Sequence, residues 1–259
     1  NCRICGESLT IILDLGKTPL ANSFLKKSEL MKLEKKFPLS LSYCRACSVV
    51  QLADIVQPRL LFGKTYQYRT SASAPLVAHF ASYVRAIEES YLGKSKKLVV
   101  EIGSNDGSLL ASFKHARVLG VDPALEASVL AKKMGIPTIV SFFTPEVARR
   151  IVADHGSAAV VIANNVFAHI DDIESVLKGV RILLEDGGVF VFEVNWVGEM
   201  ITDGSFDHIY HEHLSYFSAH AIEALAHKMG FVFTRAELFP IHGITLRASF
   251  KKEWVATRS

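Results

Sequence analysis

Apolar and polar positions in this chain follow two alternating periods from Leu98 onward. Short, nearly unbroken apolar runs rich in β-branched residues have the pattern of strands buried on both faces. Stretches with i, i+3, i+4 apolar spacing separate them, as amphipathic helices do. This reading predicts strands at 97–102, 117–122, 136–141, 158–163 and 189–193, with helices at 108–114, 125–134, 145–155 and 171–184. Such alternation predicts an α/β fold built on a parallel sheet covered on both sides. A further helix at 218–229 leads to apolar runs at 231–234 and 243–250, expected to close one sheet edge. Upstream, residues 74–87 have helical spacing, with Pro75 in the first turn where its missing N–H costs nothing.

Composition narrows the class without naming a ligand. The chain has 259 residues and a formal net charge of +3, with acids and bases mixed along it. That balance gives no polyanion footprint, so nucleic acid is not an expected partner. No apolar run approaches membrane-spanning length and no signal peptide is legible, so no membrane is expected and the cytoplasm is the expected location. The first residue is Asn1 rather than Met, which reads as less than a whole gene product. All four cysteines fall in two C-x-x-C pairs, Cys2/Cys5 and Cys44/Cys47. In a cytosolic protein this arrangement predicts a tetrahedral structural Zn(2+) site, with redox thiols as the alternative. Residues 1–57 are therefore expected to form a zinc-binding module, 58–95 a linker with a helix, and 96–259 the sheet domain.

The candidate chemistry starts at Glu101-Ile-Gly-Ser-Asn-Asp-Gly107, where the first sheet strand runs into a glycine turn. Glycines at 103 and 107 allow close backbone approach to a ligand. A dinucleotide site would need G-x-G-x-x-G to cradle a pyrophosphate, and the acids Glu101 and Asp106 would repel one. They suit a ligand carrying a cationic amino group and ribose hydroxyls. Twenty-one residues after Glu101, a second strand ends at Asp122-Pro123, with an acid placed to hold a ribose diol. The pattern over about 96–195 resembles the class I S-adenosyl-L-methionine (SAM) methyltransferases, and another Rossmann-like nucleotide binder is the alternative.

Residues 195–217 form an insertion at the carboxyl end of the fifth sheet strand, the ligand side of such a fold. It contains Tyr210-His211-Glu212-His213. If this run is extended, His211 and His213 share one face and Tyr210 and Glu212 the other. The H-E-x-x-H spacing of a zinc protease is absent. Together, the two C-x-x-C pairs, the 101–107 run, Ala163-Asn-Asn-Val-Phe-Ala-His169 and Tyr210–Ser218 resemble the nucleotide-sugar C-methyltransferases, which act on keto-deoxysugars typically carried on dTDP. Members usually continue with a further α/β domain after the segment matching His242–Arg247, whereas this chain stops at Ser259. It reads either as a fragment or as a form without that domain.

The resemblance implies a SAM-dependent C-methyltransferase acting next to the ketone of a nucleotide-linked 4-keto-deoxysugar, at C3. It implies His213 as general base, with Tyr210 and Glu212 holding the sugar; His211 stays open as the competing base. Tyr66 and Tyr68, in a tyrosine-rich run, are implied to line the substrate side. Asn164 and Asn165, ahead of His169, are expected at the cofactor's methionine end. Phe142 or Phe143 is expected on the adenine. Gly103, Asn105, Asp106, Gly107, Asp122 and Pro123 complete the expected cofactor site. Two rivals stand: a methyltransferase of another substrate class, and a SAM-binding fragment without catalysis.

Overall fold

The computed structural model describes residues 1–61, 70–241 and 243–253. The expected substrate-side tyrosines Tyr66 and Tyr68, and His242, lie outside them. At the N-terminus, β1 (Thr10–Thr18), β2 (Phe37–Tyr43) and β3 (Val50–Leu52) pair antiparallel. A short helix, α1 (Pro58–Leu61), and the long α2 (Ala74–Ile87) follow. Pro75 sits in the first turn of α2, and Leu76, Phe80, Tyr83, Val84 and Ile87 form its buried stripe.

The sheet domain alternates as its apolar periods predict. It runs β4 (Leu98–Ile102), β5 (Arg117–Asp122), α3 (Leu125–Lys133), β6 (Thr138–Val140), α4 (Pro145–His155), β7 (Ala158–Asn164), α5 (Ile173–Leu183) and β8 (Leu184–Asn195). After the insertion, which holds α6 (Val197–Thr202) and β9 (Ser215–Tyr216), come α7 (Ala219–Lys228), β10 (Phe231–Phe239) and β11 (Thr245–Lys252). The seven strands lie in the order β10-β11-β8-β7-β4-β5-β6. The five inner-chain strands are parallel, and β11 and β10 add antiparallel at the edge.

Side chains along each strand point to opposite faces, which divides the core in two. Val100, Ile102, Phe190, Phe192 and Val194 pack on one side, while Val99, Val189 and Val191 pack under α2 on the other. Beneath the insertion lies an aromatic cluster. Phe217 stacks on Phe167 with centroids 5.9 Å apart, and Phe167 meets Phe190 and Phe192. Across the sheet, the fully buried Glu193 carboxylate accepts from Arg247 Nε at 2.7 Å and pairs with His79 Nε2 at 3.0 Å. The Arg247 guanidinium is held between the rings of Tyr83 and Phe239.

One expectation about elements needs correction. The helix expected at 108–114 is only a 3-10 turn, Leu110–Ser112. The Ser108 hydroxyl and N–H both donate to Asp106 Oδ1, a local turn that competes with helix nucleation. The N-terminal module shares its sheet with the insertion. Its sheet has the order β1-β2-β3-β9, so the last strand comes from the insertion more than 150 residues on.

Candidate active site

One cavity of about 780 Å³ opens at the carboxyl ends of the parallel strands, within the usual size of a small-molecule site. Gly103, Asn105, Asp122, Pro123, Asn164 and Asn165 line one end, and His169, Asn195, His208, Tyr210, Glu212 and His213 line the other. The glycine turn and the insertion therefore face a common space. Gly103 has φ +68°, and a Cβ there would lie 2.3 Å from Val166 Cγ2, so conformation and space both require glycine.

The expected cofactor residues divide into a lining set and a supporting set. Asp122 lines the cavity; its Oδ2 accepts from the Asn105 N–H at 2.8 Å and its Oδ1 from the Ala124 N–H at 2.7 Å. Burial raises its pKa against these amides. Glu101 and Asp106 are buried behind the lining. Burial pushes the Glu101 carboxyl well above its ordinary range, and Asp122 and Asp106 push it further. Asp106 is also buried, but the Ser108 hydroxyl and the Ser71 N–H outweigh that cost and hold it low. Gly107 packs against Ala131 and Ile136 rather than the cavity. A cluster of acids beside the cavity favours a cationic guest. Among the described residues, both side-chain polar atoms of Asn164 and the Asn165 Oδ1 are buried without a hydrogen-bond partner, as groups awaiting a ligand would be. Asn165 holds φ +51°, and its N–H donates to Glu193 O. Phe142 and Phe143 both line the cavity; Phe142 is exposed and Phe143 buried.

The 210–213 run is neither extended nor helical. It is a turn in which the His213 N–H donates to Tyr210 O at 3.0 Å. Residues i and i+3 of a tight turn come together, so the Tyr210 hydroxyl lies 2.8 Å from His213 Nε2. The face sharing expected for an extended run, His211 with His213, does not occur. His211 turns away from the cavity, and its Nε2 faces the carbonyls of Phe37 and Pro38 on β2 at 3.3 and 3.1 Å. Of the two candidate bases, only His213 lines the cavity.

Hydrogen bonds also fix the His213 tautomer. Its Nδ1 lies 2.9 Å from the His208 carbonyl, which can only accept, so Nδ1 carries the hydrogen. Nε2 is then the lone-pair nitrogen facing the Tyr210 hydroxyl. Burial depresses the His213 pKa to about 3, with His169 and His208 lowering it further. The imidazole is neutral throughout the ordinary pH range. His169, whose ring centroid is 5.0 Å from that of His213, donates from Nδ1 to the Glu212 carbonyl. The Glu212 carboxyl accepts from Asn22 Nδ2 at 2.7 Å, and burial raises its pKa against that bond. Sequence reasoning missed Asn22, Phe24, Asn195 and His208. The first two come from the N-terminal module with only turn chemistry as a signal, and His208 stands just outside the tetrapeptide that drew attention.

The four cysteine sulfurs lie within 4.8 Å of one another, and none is in a disulfide. Cys2 Sγ is 3.5 Å from Cys47 Sγ, and Cys5 Sγ is 3.4 Å from Cys44 Sγ. Four thiolates at about 2.3 Å from a tetrahedral ion would stand at about 3.8 Å from each other, so the set fits Zn(2+) with no open coordination position. Burial opposes ionisation of Cys44, but the Cys47 N–H and the Cys5 thiol outweigh it and bring its pKa to about 7. Arg3, inside the first C-x-x-C, donates from Nη1 to Leu214 O at 3.1 Å and from Nε to Asp171. The metal site is thereby tied to the residue that follows His213.

Comparison with known proteins agrees with this arrangement. Residues 2–62 match the family described as "Putative zinc binding domain", and residues 77–236 match the family described as "Methyltransferase domain". A curated relative, C-methyltransferase NovU of Streptomyces niveus, is 37% identical over 246 residues. That match covers 94% of this chain and 58% of the relative, so the chain spans little more than half of the relative's length. Among solved structures, a SAM-dependent methyltransferase of Thermotoga maritima, described as a possible histamine N-methyltransferase, superposes with TM-score 0.53 at 18% identity. That superposition covers 69% of this chain and 92% of the other. Magnesium protoporphyrin IX methyltransferase of Synechocystis, with bound S-adenosylhomocysteine (SAH), gives 0.54 at 12% identity, covering 68% and 83%. At such identities these two structures bear on the fold alone.

Proposed function

Because this chain belongs to the methyltransferase-domain family, with a zinc-binding module before the sheet, we propose that it moves a methyl group from SAM to a carbon acid. The acceptor in this reading is the carbon next to the ketone of a nucleotide-linked 4-keto-deoxysugar, at C3. One observation carries it: a neutral imidazole, His213, presents its lone pair to Tyr210 within the cavity that the Gly103 turn also lines. Methyl transfer to an amine or alkoxide acceptor does not require a carbon-bound proton to be removed, whereas transfer to carbon does. The sugar identity rests on the likeness of the Tyr210–Ser218 run to enzymes of that class.

In this reading the Gly103 turn, Asp122, Asn164 and Asn165 would hold SAM, Asp122 serving its ribose hydroxyls and the two asparagines its amino acid end. The sulfonium activates the methyl without help from the protein. The protein's task is to make the acceptor carbon nucleophilic. The C–H bond breaks, its proton passes to the Tyr210–His213 pair, and its electron pair forms the enolate. Glu212, fixed by Asn22, presents a carboxyl to the sugar hydroxyls. A Zn(2+) held by Cys2, Cys5, Cys44 and Cys47 would brace the module that supplies Asn22 and Arg3, with no coordination position left for chemistry.

The test pairs catalysis with binding. His213→Ala should lose at least about 10²-fold in turnover with a dTDP-4-keto sugar, while calorimetry shows SAM binding unchanged. Turnover near the parent level in this variant would remove His213 from the base role. SAM binding with no methyl gain by any sugar nucleotide would favour the non-catalytic reading.

A further inference from the structure

We infer that His208 is a second catalytic residue, whose Nε2–H donates a hydrogen bond to the ketone oxygen as it becomes an enolate. This inference rests on the carbon-methylation reading and deepens it. Three imidazoles line the end of the cavity beside the insertion. The His169 ring faces the Glu212 and Asn165 carbonyls, while His213 gives its Nδ1 hydrogen to the His208 carbonyl, leaving Nε2 as an acceptor. His208 is held the other way round. Its Nδ1 lies 3.0 Å from the Asn195 Nδ2 amide, which can only donate, so Nδ1 accepts and Nε2 carries the hydrogen.

The chain thus places an acceptor imidazole and a donor imidazole side by side. The His208 and His213 rings are 6.4 Å apart between centroids and inclined by only 22°. In this proposal one ketone spans both, with its oxygen about 3 Å from the donor nitrogen and its α-hydrogen directed at the Tyr210–His213 pair. The two residues are also mechanically coupled. The His208 carbonyl receives the His213 Nδ1–H and, at 3.3 Å, the Tyr216 hydroxyl. Asn195, the last residue of β8, then orients the ring from the sheet, a rigid element.

The chemistry requires such a donor. When the α C–H bond breaks, its electron pair becomes the C=C bond and the carbonyl π pair moves onto oxygen. A weakly basic, buried imidazole makes this step costly unless that oxygen is stabilised. A neutral imidazole donating a hydrogen bond serves this purpose without itself giving up a proton, as in other enolising sites. As the methyl group arrives at carbon, the C=O bond reforms, the sulfonium becomes a thioether, and the proton held at His213 leaves to solvent.

The experiment follows enolisation apart from methyl transfer. The intact protein is mixed with a dTDP-4-keto sugar and SAH in D₂O, and deuterium uptake next to the ketone is followed by NMR. Wild type should exchange, and His208→Phe should slow both exchange and methylation by about 10²–10³-fold with SAM affinity unchanged. His208→Gln, which restores an N–H donor, should recover part of that loss. Histidine ¹⁵N spectra should show hydrogen on Nε2 of His208 and on Nδ1 of His213. Exchange at the wild-type rate in His208→Phe, or hydrogen on Nδ1 of His208, would overturn this inference. A wild-type protein that neither exchanges nor methylates carbon would instead overturn the reading beneath it.

Discussion

At the scale of single residues, the site is governed by which groups burial leaves uncharged. His213 has its pKa lowered to about 3, so its lone pair is available at every working pH. The profile of kcat/KM should therefore show no acid limb between pH 5 and 7 attributable to His213. Such a limb in wild type, absent in His213 variants that retain activity, would contradict this assignment. The same shift has a stability consequence. The unfolded chain protonates His213 near pH 6.5 and the folded chain only near 3, so the unfolded state binds more protons in that window. Stability should fall with decreasing pH there, by up to about 1.4 kcal/mol per pH unit from this group, and urea titrations at several pH values would measure it. At the other end of the cavity, Asp122→Ala should weaken SAM binding about 10–100-fold by calorimetry, the scale of hydrogen bonds to a charged group. Unchanged affinity would move the ribose elsewhere. Asp122 could be read from the sequence because an acid ending a second strand is a local signal. The choice between His211 and His213 could not, because it depends on a turn at 210–213 and on carbonyls of β2.

At the scale of elements, the insertion is the part that joins the metal module to the chemistry. It pairs through β9 with β3, it accepts Arg3 at Leu214, and it is anchored in the core by Phe217. Removing zinc with a chelator should therefore increase hydrogen exchange at residues 205–216 as well as near the cysteines. Protection at 205–216 unchanged on chelation would mean that the two are not coupled. Phe217→Ala should cost about 3–5 kcal/mol, as truncation of a buried aromatic does, and should release the insertion; a loss below about 1 kcal/mol in denaturant titration would disprove its anchoring role. Elements with strong periods, such as α4 and β7, were legible to within a residue or two. The helix expected at 108–114 was not, because Asp106 bonds Ser108 and diverts the chain into turns. The contribution of β9 was equally hidden, since two residues carry no period.

At the scale of the whole molecule, the parallel order and the antiparallel edge follow from apolar runs, and a cavity opens where the parallel strands end. The joining of residues 1–57 with 195–217 into one unit required tertiary structure to see, because strand pairing across that distance leaves no local trace. The cavity results from this joining: Asn22 from the first module, the Gly103 turn from the sheet and Tyr210 from the insertion meet there. The central claim is that this space removes hydrogen from a carbon and puts methyl in its place. The most direct measurement uses a dTDP-4-keto sugar carrying deuterium at C3, with SAM as methyl donor, and NMR of the product. The account predicts a new C–CH₃ at C3 with the deuterium lost to solvent. A product methylated on oxygen or nitrogen, with deuterium still at C3, would contradict it.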